Sequence, residues 1–181
     1  LYLGMLVALA WAGSATAQNQ PPSEPPADWG VTAIDYSNVP YPYPVSYLDL
    51  EVDGRHLRMA YMDAPPVGTP NGRAVVFFHG FNFAGYAFGP TMEILRNEGF
   101  RTIAIDRIGF GRSSKPIMHY DFDIPARNTK RLLDHLGIEQ AAVVGHSMGG
   151  MVASRFGMRY PQRASHVGFM NQIGLSDSRP G

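Results

Sequence analysis

The chain has 181 residues, 45% of them hydrophobic and 17% charged, and its formal net charge is zero. That length and apolar content suit one globular domain with a sizeable core, while the absence of a basic cluster gives no support to nucleic-acid or anionic-membrane binding. There is no cysteine, so disulfides and thiolate chemistry are excluded and nothing can be read about redox compartment from that residue.

Leu1 to Trp11 is almost wholly apolar and leads into Gly13-Ser-Ala-Thr-Ala17. Ala15-x-Ala17 has the small-residue form of a signal-peptidase site, so residues 1–17 read as a signal peptide with a mature start at Gln18. The run is too short for a comfortable membrane span. A secreted or periplasmic protein, without a stable membrane span after cleavage, is the expectation. Residues 18–44 hold seven prolines among scattered Ser, Glu and Asp. Proline removes amide donors and fixes φ, which predicts a linker or irregular arm, with Trp29, Tyr36, Tyr41 and Tyr43 able to pin it by packing.

The domain proper is expected over residues 45–181. Tyr47 to Val52 alternates in period two, Asp53-Gly54 turns, and Leu57 to Met62 follows, which predicts an antiparallel hairpin. Ala74-Val-Val-Phe-Phe78 is apolar throughout, a strand ending at His79-Gly80. Tyr86 to Asn97 is helix-compatible, and Thr102 to Ile105 is a further buried strand closed by Asp106-Arg107. After a loop holding Gly109, Gly111 and Ser113 to Pro116, Asp123 is placed to cap a helix with Pro125 in its first turn. Thr129, Leu132, Leu133 and Leu136 give that helix a buried stripe. His166 to Met170 is a last short strand. Strands alternating with helices imply right-handed crossovers and a mainly parallel sheet.

Between the last two strands lies Ala141-Ala-Val-Val-Gly-His-Ser147-Met-Gly-Gly-Met151. An apolar run without polar alternation predicts a strand buried on both faces, and a helix-compatible segment extends from Met148 to Tyr160 and stops at Pro161. A G-x-S-x-G turn between strand and helix has the form of a nucleophile elbow. Ser147 must then occupy a sharp, strained turn, while Gly145 and Gly149 let strand and helix approach closely.

His79-Gly80, Asp106-Arg-Ile-Gly-Phe-Gly-Arg-Ser113 and Gly145-His-Ser-Met-Gly-Gly150 together resemble the α/β-hydrolase superfamily in letters, order and separation, over about residues 45 to 175. The nearest flavour is the single-domain serine hydrolases, among them esterases, lactonases, carbon–carbon bond hydrolases, cofactor-free haloperoxidases and prolyl aminopeptidases. The resemblance implies an α/β-hydrolase fold with an antiparallel N-terminal hairpin, Ser147 as nucleophile, and an oxyanion hole from the backbone amides of Phe81 and Met148. His79, Gly80 and Asp106 are expected to support the loops, with Gly145 and Gly149 supporting the elbow. Asn82, Phe83 and His146 are candidates for the substrate pocket, and Phe81, Phe83, Phe88 and Met148 suggest that it is apolar. Epoxide hydrolase and dehalogenase chemistry is disfavoured, because those relatives carry Asp where this chain has Ser147.

Serine needs a base and the base needs an orienting carboxylate. The family order is Ser, acid, His, and after Ser147 only His166 and Asp177 offer those types, both too early. The expectation is an N-terminal portion of a longer hydrolase, cut after about the sixth strand, with acid and base beyond Gly181. Neither a metal nor an organic cofactor is implied, since there is no clustered ligand spacing, and Gly109-x-Gly111 lacks the later glycine of a dinucleotide fingerprint. The expected activity is hydrolysis of a small-molecule ester, lactone or activated amide through an acyl-enzyme. The alternatives are an aminopeptidase or carbon–carbon bond hydrolase with the same serine, or a non-catalytic fragment or binding module.

Overall fold

The computed structural model describes residues 32–174; the signal-peptide reading of 1–17, most of the proline-rich segment and Asp177 lie outside them. The hairpin is β1 (Val45–Val52) and β2 (Arg55–Ala64), followed by β3 (Ala74–Phe78), α1 (Gly89–Asn97), β4 (Arg101–Ile105), α2 (Asp123–His135), β5 (Ala141–His146), α3 (Met148–Arg159) and β6 (Ala164–Met170). These six strands form one sheet in the order β1-β2-β4-β3-β5-β6. β1–β2 and β2–β4 are antiparallel, and β3–β4, β3–β5 and β5–β6 are parallel. The mixed sheet is therefore the expected one. No helix of the described residues is long and apolar enough to cross a membrane.

Side chains alternate across a strand, and β3 divides its five apolar residues between two layers. Val76 and Phe78 join a large core with Met59, Ile105, Leu132, Val143, Val152 and Phe156 under α2 and α3. Val75 and Phe77 join a smaller core with Met62, Phe88 and Met92 on the α1 side. Burial on this scale is the main stabilising term, at about 25 cal/mol per Å² of apolar surface removed from water.

Three local expectations are corrected. The helix predicted from Tyr86 begins with a 3-10 turn, Gly85–Phe88, and becomes α-helical only at Gly89, next to Pro90. Asp123 does not cap α2; the amide of Ile124 is taken by Asp121 Oδ1 at 2.8 Å, while Asp123 pairs with Arg155 of α3. β5 is not buried equally on both faces, since Ala141, Val143 and Gly145 are buried and Ala142, Val144 and His146 only half-buried. The physical reason is unequal cover: α3 packs over the first set, and the smaller α1-side core only flanks the second.

Candidate functional site

β3, β4 and β5 are parallel, so their C-terminal ends deliver His79-Gly80, Asp106-Arg107 and His146-Ser147 to one edge of the sheet. Ser147 stands between β5 and α3 at φ 52°, ψ −119°. A non-glycine residue there carries backbone strain, of order 1–3 kcal/mol. Its amide donates to Met170 O of β6 at 3.0 Å, and its carbonyl accepts from Gly150 at 3.0 Å. The two elbow glycines have no space for a side chain: a Cβ on Gly145 would lie 2.1 Å from Gly149 O, and one on Gly149 the same distance from Phe78 O.

The loop after β3 faces this turn. A Cβ on Gly80 would lie 3.2 Å from Ser147 Cβ and 3.1 Å from His146 Nδ1, so residues 80 and 147 are in direct apposition. Phe81 follows at once, and Met148 opens α3 at the positive end of the helix dipole. Neither amide has a hydrogen-bond partner among the described residues. Asn82 takes a left-handed φ of 60° and Phe83 N closes a turn onto Gly80 O at 3.4 Å.

His79 is 1% exposed, and both ring nitrogens are engaged: Nδ1 donates to Gly80 O at 2.7 Å, and Nε2 accepts from the amide of Arg107 at 3.1 Å. Burial, aided by the Arg107 charge, lowers its pKa from the ordinary 6.5 to about 3. A neutral imidazole with no free nitrogen is a strut between β3 and β4. Asp106 is a second strut. Oδ1 accepts from Gly85 N at 2.6 Å, and Oδ2 from Arg112 N at 2.8 Å and from the Tyr41 hydroxyl at 2.6 Å. Burial pushes this carboxyl up, against the pull of those donors. Ser113 and Ser114 lie in the loop after β4, and their hydroxyls accept from Ala60 N and Arg58 N at 2.8 and 2.9 Å and so continue the edge of β2 beyond β4.

Beside the elbow, a cavity of about 480 Å³ is lined by Phe81, Asn82 and Met148 at one side and by Met59, Ile105 and Phe110 at another. Phe88, expected with this group, is instead 5% exposed in the opposite layer, stacked on Phe77 with ring centroids 4.8 Å apart. Phe83 and His146 meet each other edge to face at 6.3 Å and do not line the cavity. His166 pairs with Ala142 at the start of β6, at the sheet edge opposite Ser147. Arg107 and Asn128, neither singled out from the sequence as pocket residues, both line the cavity from buried positions. Asn128 sits on the inward face of an amphipathic helix, a position the stripe of Leu132 and Leu133 could have flagged.

The profile of the alpha/beta hydrolase fold matches residues 73–179. The chain belongs to that family. A crystal structure of a probable hydrolytic enzyme from Pseudomonas aeruginosa PAO1 superposes with a TM-score of 0.74 at 44% identity, covering 76% of this chain and 44% of that one. Epoxide hydrolase B of Mycobacterium tuberculosis is 37% identical over 110 residues, 60% of this chain and 30% of its own length. The 2-hydroxy-6-oxononadienedioate/2-hydroxy-6-oxononatrienedioate hydrolase of Burkholderia vietnamiensis is 36% identical over 128 residues, 68% of this chain and 43% of its own. This α/β hydrolase chain thus spans less than half the length of the relatives it matches.

Proposed function

We propose that Ser147 is the nucleophile of a serine hydrolase that acts on an ester, lactone or activated amide. The observation that carries this reading is the strained Ser147 backbone at the strand–helix junction, set against the unengaged amides of Phe81 and Met148. Attack by the Ser147 hydroxyl on a carbonyl carbon forms a C–O bond and moves an electron pair onto the carbonyl oxygen. Two amides aimed at that oxygen stabilise the developing charge; each such donor is worth about 3–4 kcal/mol in the transition state. Collapse expels the alcohol or amine and leaves an acyl-enzyme for water to resolve. A base must take the serine proton. The family order places the acid and then the histidine well after the elbow serine, so the base and its carboxylate are assigned to residues beyond Gly181.

Likeness to an epoxide hydrolase is weighed against the residue at the elbow. A hydroxyl that opened an epoxide would leave an ether, which water does not readily cleave, whereas a carboxylate would leave a hydrolysable ester. Ser147 therefore favours acyl transfer. Carbon–carbon bond hydrolysis is the second reading, supported by the likeness to the Burkholderia vietnamiensis enzyme over 68% of this chain. The apolar stretch before Gln18 supports export as a further part of the proposal.

The test is intact mass spectrometry of the protein from its native source after exposure to a fluorophosphonate. One adduct, lost in Ser147→Ala, is expected. No adduct on the native protein overturns the assignment.

A further inference from the structure

The cavity beside Ser147 is walled by Met59, Ile105, Ile108, Phe110, Phe122 and Ile124, and two buried polar side chains enter it. Asn128 is 2% exposed and its side-chain nitrogen has no partner; the Arg107 side chain is 5% exposed and its Nε has none either. No carboxylate pairs with Arg107 among the described residues; its Nη2 donates to Gly80 O at 3.3 Å and lies 3.3 Å from His79 Nδ1, and its guanidinium stands over the Phe110 ring at 4.8 Å. Burial lowers the Arg107 pKa to about 10. Apart from the solvent-exposed Asn82 and the amides of Phe81 and Met148, the other polar groups of the cavity are already committed. The Thr129 hydroxyl donates to Pro125 O, the Tyr120 hydroxyl to Pro116 O, and Asp121 holds the amide of Ile124.

Buried polar groups in folded proteins are almost always satisfied, and an unsatisfied one calls for an explanation such as a ligand. Ligand sites are typically apolar concavities with a few polar groups that fix orientation, of about 300–1,000 Å³. Here the uncommitted buried side chains are a guanidinium, which only donates, and a carboxamide with a free N–H. They ask for an acceptor oxygen.

We infer that this cavity seats the non-reacting end of the substrate, an apolar chain that carries a second acceptor oxygen, a ketone or a carboxylate, held by Asn128 and Arg107. The inference rests on the serine-hydrolase reading for the word substrate, and on the cavity alone for the seat. Fixing the remote end in this way orients the scissile carbonyl toward Ser147.

The experiment uses p-nitrophenyl esters with acyl chains of equal length that end in a methyl group, a methyl ketone or a carboxylate, with protein from its native source and recombinant variants of it. The oxygen-bearing chains should be favoured over the methyl-ended chain by about ten-fold or more in kcat/KM, the size of one well-made hydrogen bond to a charged or buried group. In Asn128→Leu that ratio should fall to about one. Asn128→Asp keeps the size and a polar character should the leucine variant fail to fold, and should turn the preference against the carboxylate-ended chain. Preference for the methyl-ended chain in the native protein, or an unchanged ratio in the folded variants, overturns the inference. If no ester is turned over, the serine reading fails separately. The seat is then judged by calorimetric titration of the three chains as their methyl esters, where equal affinity for all three, or no binding, overturns it.

Discussion

The Tyr41 hydroxyl donates to Asp106 Oδ2 at 2.6 Å, across 65 positions of sequence. The same carboxylate holds Gly85 N, just beyond the loop that faces Ser147, and Arg112 N in the following turn. Arg112 in turn stacks over the Tyr41 ring at 4.4 Å and donates to Tyr36 O and Val39 O. The segment before β1 is thus tied to the loops at the edge that carries Ser147 through one buried carboxylate.

Tyr41→Phe deletes that bond and leaves the aromatic packing in place. A hydrogen bond to a charged group contributes about 1.5–3 kcal/mol. The variant should lose about that much stability in urea denaturation, and its fluorophosphonate labelling should slow as the loop after β3 loosens.

The strain at Ser147 predicts opposite outcomes for two small substitutions. Glycine tolerates φ 52°, ψ −119° and alanine does not. Ser147→Gly should raise stability by about 1 kcal/mol once the greater chain entropy of glycine is deducted, and Ser147→Ala should leave it near the native value. Thermal denaturation of both variants decides this, and equal midpoints would remove the claim of stored strain.

Alanine at either elbow glycine meets backbone rather than a flexible side chain. Overlap of a Cβ with a carbonyl oxygen at 2.1 Å forces the strand and helix apart. Gly149→Ala should lose about 4 kcal/mol or more, among the largest effects of single substitutions. Soluble, folded Gly149→Ala with native labelling would contradict the packing described.

His79 makes stability depend on pH. The native ring refuses a proton until about pH 3, whereas in the unfolded chain it accepts one near 6.5. Between those values the unfolded state binds more protons, so stability falls as the pH is lowered, by about 1.4 kcal/mol per pH unit for one group. Urea midpoints measured from pH 7 to pH 4 should show that slope, and His79→Gln, itself less stable, should show it reduced by one proton.

Legibility in the sequence followed the range of the physics. β3 and the Ser147 elbow were readable because an unbroken apolar run and a G-x-S-x-G turn are local signals. The start of α1 was misplaced because the amide of Gly85 is held by Asp106, 21 residues away. The cap of α2 was assigned to Asp123 when Asp121 takes the amide, since two carboxylates two residues apart look alike until Arg155 claims one of them. Phe88 read as a pocket residue because an aromatic near a loop carries no mark of which sheet face it will meet. Arg107 and Asn128 gave least warning, since an unpartnered buried donor is defined only by what surrounds it.

The strand order has a consequence for how the chain is made. β2 pairs with β4 and β3 is inserted beyond it, so β2 and β3, consecutive in sequence, are not neighbours in the sheet. Ala64 must wait for Thr102, which at roughly 5–20 residues per second of ribosomal elongation is a delay of seconds. During that interval the β1–β2 ribbon presents one unpaired, partly apolar edge, and β3 waits longer still for β5. Nascent chains are therefore most open to wrong pairing, or to capture by a chaperone, between the emergence of Ala64 and that of Gly145.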